Sequence, residues 1–294
     1  MEMVILKSKV FFTKEITKEK MVEIYEKLNI ELTGNVAVKV HSGEKGNQNF
    51  LRPEFLKDIV EKVNGTIVEC NTAYDGMRNT TEKHLQNIKE HGWNDLYKVD
   101  ILDSEGELEL PIKNGKHLKV NYVGKNIEKY DSMLVISHFK GHPMGGFGGA
   151  LKNISIGLAS SNGKAVIHGA GIVENIWTAD HNSFLESMAE ASSSIMDYTK
   201  GRIAFINVMC NMSVDCDCCK IAKDPEIEDI GILASLDPVA LDQACLDLVY
   251  NSKDIGKKSL IERIESRNGI HTVEIAENLK VGSRQYVLIN IDEV

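Results

Sequence analysis

Five short apolar runs, each ending in glycine, histidine, cysteine or another polar residue and separated by segments of helical spacing, limit what this chain can become. They are VAVKV (Val36 to Val40), TIVEC (Thr66 to Cys70), SMLVISH (Ser132 to His138), GRIAFINVM (Gly201 to Met209) and DIGILAS (Asp229 to Ser235). Runs that are apolar throughout, without alternation, suit strands buried on both faces. Between them lie helical patterns at Lys18 to Leu28, at PEFLKDIVEKV from Pro53 to a stop at Gly65, at Thr80 to His91, at Ser183 to Thr199, and from Asp237-Pro238 through Tyr250. VDILDS, LKVNYV and the terminal YVLINI read as further strands. Strands alternating with helices predict an α/β fold, a mainly parallel sheet with helices on both faces. No linker or repeat interrupts the pattern. Residues 1–294 therefore read as one α/β domain, or as two intimate subdomains with no marked boundary.

With 43% hydrophobic residues in 294, the chain can bury a large core without staples. No run of about 18 apolar residues occurs, and the N-terminal MEMVILKSKVFF carries charges where a secretion signal would be apolar. A cytoplasmic protein without a membrane anchor is expected. Thirty-four basic against 43 acidic residues give a formal charge of −9, and only 6% of residues are aromatic. That balance argues against a broad nucleic-acid surface, though not against a local basic pocket. Six cysteines are too few and too unevenly placed for a disulfide scaffold, and cytosolic thiols stay reduced.

Four of the six cysteines fall within CNMSVDCDCCK, just after a strand: Cys210, Cys216, Cys218 and Cys219. Thiolates at a strand end can converge on an iron–sulfur cluster or on a single transition metal such as zinc. The spacing fits neither the common paired zinc pattern nor the ferredoxin run, so buried structural thiols and a redox-active dithiol stand as alternatives. A second stretch, SHFKGHPMGGFGGALKN, also follows a strand. Its His138, Lys140 and His142, the glycines Gly145, Gly146, Gly148 and Gly149, and Lys152 and Asn153 suit an anion or small-molecule site. Glycines admit backbone N–H groups to the ligand and lysines supply charge. It matches neither the dinucleotide fingerprint nor the phosphate-binding loop with its terminal lysine. In KVHSGEKGN, His41, Glu44 and Lys45 leave a third strand. Asn71, Thr72, Tyr74 and Arg78 leave a fourth. If these strands are parallel, all four exits share one edge, where ligands sit in open α/β sheets. His84, His91, His117 and His271 read as surface groups, Cys245 as core packing, and His168 and His181 as neighbours of the site at most.

The blocks VAVKVHSGEKGNQNFLRPEF, CNTAYDGMR, SHFKGHPMGGFGGALKN, DCDCC and DIGILASLDPVALDQACLDLV, in this order, resemble the family known as domain of unknown function 362, whose members are often described as iron–sulfur-centre proteins. The resemblance covers nearly the whole chain and brings no reaction with it. Many members resemble this chain with a ferredoxin-type insert between the positions of His168 and Ser183, where this sequence has only the cysteine-free GAGIVENIWTADHN. The resemblance thus implies a cluster held here by Cys216, Cys218 and Cys219, with Cys210 as an addition.

The leading expectation is a metal- or iron–sulfur-binding protein of redox type. Cys210, Cys216, Cys218 and Cys219 would hold the centre and His142, the glycines, Lys152 and Asn153 a small anionic molecule, while His41, His138 and Lys140 would act as catalytic groups. An external electron-transfer protein would stand in for the insert. Two other expectations remain. One is a non-redox enzyme on a phosphate- or carboxylate-bearing small molecule, with structural or zinc-bound cysteines; the other is a non-catalytic binding or scaffold protein.

Overall fold

The computed structural model describes residues 7–293, so the first six residues of the N-terminal segment lie outside it. The chain begins with β1 (Ser8–Thr13), α1 (Lys18–Lys27) and β2 (Val36–Lys39). A 3₁₀ turn at Pro53–Leu56 leads into α2 (Lys57–Lys62), β3 (Gly65–Glu69), α3 (Thr81–Glu90), α4 (Trp93–Leu96) and β4 (Val99–Ile101). Next come β5 (Glu107–Pro111), β6 (Val120–Gly124), β7 (Ser132–His138), β8 (Lys140–His142), β9 (Gly146–Gly148), α5 (Ala150–Ser155), α6 (Ser161–His168) and α7 (His181–Thr199). The last part is β10 (Ile203–Met209), β11 (Gly231–Ser235), α8 (Pro238–Asn251), α9 (Lys257–Ser266), α10 (Ile270–Asn278) and β12 (Tyr286–Asn290). Helix starts follow local chemistry: Thr17, Thr80, Ser160, Asp180 and Asp237 each accept a first-turn N–H, and Pro238 occupies a first-turn position that needs no donor.

Eight strands form one sheet in the order β12-β1-β11-β10-β7-β2-β3-β4. Every neighbouring pair is parallel except the two made by β11, which runs against both β10 and β1. The apolar runs are covered on both faces, as their lack of alternation predicts. In β7, Met133 and Val135 enter one core and Leu134 and Ile136 the other; in β10, Ile203 and Phe205 oppose Ala204 and Ile206.

From β2 the chain steps outward through β3 to β4, then returns to lay β7 and β10 on the other side of β2. The strand order therefore reverses between β2 and β7, and a crevice opens at their carboxyl ends. His41, Cys70, His138 and Cys210 all lie at that edge. The 21-residue connection carrying the cysteines also starts there, because it turns β10 back into the reversed β11.

Several elements departed from expectation. β1 escaped the pattern because it is only half buried, with polar residues at its start. The glycine-rich stretch itself forms the β8–β9 hairpin, with Gly146 at φ +78°, which no pattern in the sequence announced, while the helix or long loop expected after it follows as α5 from Ala150. α9 and α10 were also unanticipated.

The hairpin delivers the chain into α5, whose opening N–H groups, Ala150 N and Leu151 N, donate to the buried carboxylate of Asp242 at 2.7 and 2.9 Å. Asn207 donates to the same group at 2.8 Å. A Cβ on Gly149 would stand 2.3 Å from Asp242 Oδ1, so only glycine fits there. Asp242→Ala should strand these three buried donors and lower stability by about 3 kcal/mol or more, read from urea unfolding.

Candidate functional site

A cavity of about 90 Å³ occupies the crevice and is walled by all four strand exits, by the start of α5, and by α6 and the segment after it. The predicted His41, His138, Lys140, His142, Gly148, Gly149, Lys152 and Asn153 line it, as do Cys216 and Cys218. The cysteine loop and the glycine-rich hairpin thus form one site. Gly145 and Gly146 stand behind the lining in the hairpin turn.

One ligand atom each from His142, Cys216 and Cys218 lies within 4.8 Å of the others, a group able to hold a metal ion. Cys218 Sγ is 3.8 Å from His142 Nε2, and the Cys218 N–H points at Cys216 Sγ at 3.2 Å. For the Cys218 thiol, hydrogen bonding to Cys216 pulls the pKa down while Cys219 and burial push it up, to about 11. Cys219 is outside the three-atom group. Cys210 is too: its side chain packs in the core beneath the sheet, and burial pushes its thiol up to about 12.

Four histidines face the cavity, and their hydrogen bonds separate their roles. His138 directs Nδ1 at Asp217 (2.9 Å) and Nε2 at the Cys210 carbonyl (2.6 Å). Both partners accept, so both nitrogens donate, and neither is left for a substrate. His142 Nδ1 accepts from Gly145 N at 2.8 Å and Met144 N at 3.2 Å, which puts its proton on Nε2, toward the thiols. His41 Nδ1 accepts from Gly43 N at 3.1 Å. His168 is the reverse case. Its Nδ1 donates to the Lys164 carbonyl at 2.7 Å, which leaves the lone pair on Nε2, and its ring stacks on Phe184. Burial lowers His41, His142 and His168 alike to about 4, so each is neutral at pH 7.

The wall is rich in cations. Lys39, Arg78, Lys140, Lys152 and Lys164 line it against one lining carboxylate, Glu69. Lys140 pairs with Asp217 at 2.9 Å and Arg78 with Glu44 at 3.1 Å. Lys39, 3.6 Å from Glu69, is pushed down to about 8 by burial. Among the described residues Lys152 and Lys164 have no carboxylate within 4 Å. The surplus is local, in a chain of net charge −9.

The sequence matches the family described as "Domain of unknown function (DUF362)" over residues 36–247, more than half of the chain. The chain belongs to the DUF362 family. No curated protein matches this DUF362 chain by sequence. Among solved structures it is similar to the lactate racemase apoprotein from Thermoanaerobacterium thermosaccharolyticum, at 15% identity and TM-score 0.45, covering 81% of this chain and 56% of that one. It is also similar to a protein from Thermotoga maritima, at 14% identity and TM-score 0.46, covering 93% of this chain and 60% of that one. The DUF362 chain thus spans less than two thirds of either neighbour. No helix among the described residues is long and apolar enough to cross a membrane.

Sequence reading missed Lys39, Glu69, Cys70 and Lys164 as lining groups, and gave His168 no role. Lys39 and Glu69 were hidden inside strands; a charge within an otherwise apolar run was the available signal. His84, read as a surface group, is fully buried beside the site. Its Nδ1 meets Asn71 Oδ1 at 3.3 Å and its Nε2 has no partner. Burial lowers it to about 3, whereas in the unfolded chain it binds a proton near 6.5. Between those values the unfolded state binds the extra proton, so stability falls as pH drops below 6.5. His84→Gln should make the loss of stability between pH 6.5 and 5 shallower by about 1 kcal/mol per pH unit, measured by urea unfolding across that range.

Proposed function

We propose that this protein binds one transition-metal ion through His142, Cys216 and Cys218 and uses it on a small anionic molecule held in the adjacent cavity. The observation that carries this reading is the convergence of the three ligand atoms on the wall of a cation-lined cavity. Three protein ligands with a fourth position open to substrate distinguish catalytic from structural zinc sites. A two-sulfur, one-nitrogen set suits zinc or another thiophilic ion. A four-iron cluster takes four thiolates, and with Cys210 in the core and Cys219 outside the group, the donor set favours a single ion.

Such an ion polarises a substrate oxygen as a Lewis acid. Lys152 and Lys164, without carboxylate partners among the described residues, would hold the anionic end. His168 Nε2 would accept a proton, being a neutral imidazole with its lone pair on that nitrogen. A single water takes up roughly 10–15 Å³ of such a space, so about 90 Å³ suits a carboxylate or phosphate of a few non-hydrogen atoms rather than a nucleotide.

A second reading follows from the His142 tautomer. With Nδ1 accepting two N–H groups, Nε2–H can pair with a Cys216 or Cys218 thiolate, giving a metal-free nucleophilic thiol.

Protein purified without oxygen or chelator should contain about one metal ion per chain by elemental analysis. Affinity should rise with pH, because binding displaces the thiol protons. His142→Ala, Cys216→Ser and Cys218→Ser should each weaken binding by about 100-fold or more, while Cys210→Ser leaves it unchanged. Metal-free protein in which iodoacetamide labels Cys216 or Cys218 rapidly, and more slowly after His142→Ala, would replace the first reading with the second. Loss of metal in Cys210→Ser alone would overturn the proposed ligand set.

A further inference from the structure

Cys219 is the thiol of the cluster that the metal set leaves over, and its surroundings give it a second chemistry. The Cys219 N–H donates to the Cys216 carbonyl at 2.9 Å, closing a tight turn from Cys216 to Cys219. The Asn47 amide, arriving from the β2 exit, donates to the Cys219 carbonyl at 2.9 Å and the Cys216 carbonyl at 3.4 Å, and so clamps both ends of the turn. A turn closed between its first and fourth residues holds their Cα atoms within about 7 Å, the range a disulfide spans. Cys218 and Cys219 are worse placed for bridging each other, since neighbouring Cα atoms are about 3.8 Å apart, below the usual disulfide range. Cys216 is buried, whereas Cys219 is part-exposed and flanked by the exposed Lys220 and Ile221. A small oxidant can therefore reach Cys219, while Cys216 waits behind it.

We propose that Cys219 and Cys216 form a peroxide-reactive dithiol that closes into a disulfide and in doing so withdraws Cys216 from the metal set. The Cys219 thiolate attacks hydrogen peroxide. An S–O bond forms, the O–O bond breaks, and hydroxide leaves, giving a sulfenic acid. The Cys216 thiol then displaces its hydroxyl, forming the S–S bond and releasing water. Overall, two thiols lose two electrons and two protons, and one peroxide becomes two waters. With Cys216 bridged, the ion keeps only His142 and Cys218 and is released. Ion release rests on the metal reading above; disulfide closure does not.

The test uses full-length reduced protein, zinc-loaded and metal-free in parallel, treated with one equivalent of hydrogen peroxide. The chain has six free thiols before treatment. Alkylation and intact mass should show two of them lost in both preparations, with zinc released from the loaded one and rebound after reduction. Cys219→Ser should bind zinc as the wild type does when reduced, yet slow thiol loss and zinc release by about tenfold or more. Cys218→Ser, metal-free, should still lose two thiols. Bridge closure in Cys219→Ser at the wild-type rate, or its failure in Cys218→Ser, overturns the proposal. Reduced wild type that takes up no zinc but loses two thiols through Cys219 would refute the metal reading and leave the dithiol standing.

Discussion

The carboxylate of Asp217, fully buried in the middle of the cysteine loop, joins the parts of the site. It accepts from His138 Nδ1 and Lys140 Nζ, each at 2.9 Å, while its own carbonyl accepts from Glu44 N at 2.8 Å. One residue therefore ties the connection after β10 to the end of β7, to the hairpin that follows and to the loop leaving β2. His138 and Lys140 hold the carboxyl well below its usual range against the opposing effect of burial. Removing one member of such a buried set leaves uncompensated charge and typically costs about 3–5 kcal/mol. Cys216 and Cys218, on either side of Asp217, take their positions from this anchor. The histidine and lysine that looked catalytic in the sequence fix where the thiols stand.

A second ionic group fixes the opposite wall. Arg78 bonds Glu44 Oε2 at 3.1 Å and Tyr74 Oη at 2.8 Å and lies 3.9 Å from Glu69, which in turn faces Lys39. Glu69 stays ionised despite burial because Lys39 and its neighbours surround it. The two groups meet at Glu44, whose side chain serves Arg78 and whose backbone serves Asp217. Their carboxylates are spent on structure, which leaves Lys152 and Lys164 to face the cavity without acidic partners among the described residues. An anionic ligand would balance the charge of these two lysines, one buried and one part-exposed, so the charge balance and the proposed substrate class agree.

The fold was largely legible because its strands are covered on both faces and cannot be confused with alternating surface strands. VAVKV, SMLVISH and GRIAFINVM announced themselves, and the longer helices between them, α3, α6 and α7, carried their own caps. That the loops leaving β2, β3 and β7 share an edge was legible as soon as the strands were taken as parallel, whereas the meeting of the cysteine loop with the glycine-rich hairpin was not. What failed was anything decided by tertiary contacts. β1 owes its place to pairing with β11 and β12 across more than 200 residues of chain. His84 looked like a surface residue because the residues around it in α3 are charged, and only docking against the β3 exit buries it. Cys210 stands beside the other cysteines in sequence, yet β10 carries it into the core while the loop turns its companions toward the cavity.

The roles of the histidines lay deeper still. All four cavity imidazoles are the same residue at similar strand or helix ends, and what distinguishes them is whether the atom opposite each nitrogen donates or accepts. Two backbone N–H groups in the hairpin turn fix the His142 proton on the side of the thiols. One carbonyl a helical turn away fixes the His168 proton on Nδ1. His142 must therefore change tautomer, freeing Nε2, to bind an ion there, whereas His168 can accept a proton with no change of tautomer. In the proposed reading, an imidazole that must change tautomer to hold an ion and one ready to accept a proton line the same small cavity, which suits an ion that binds substrate and a base that removes its proton, and the turn geometry of the glycine-rich hairpin is what sets the His142 tautomer.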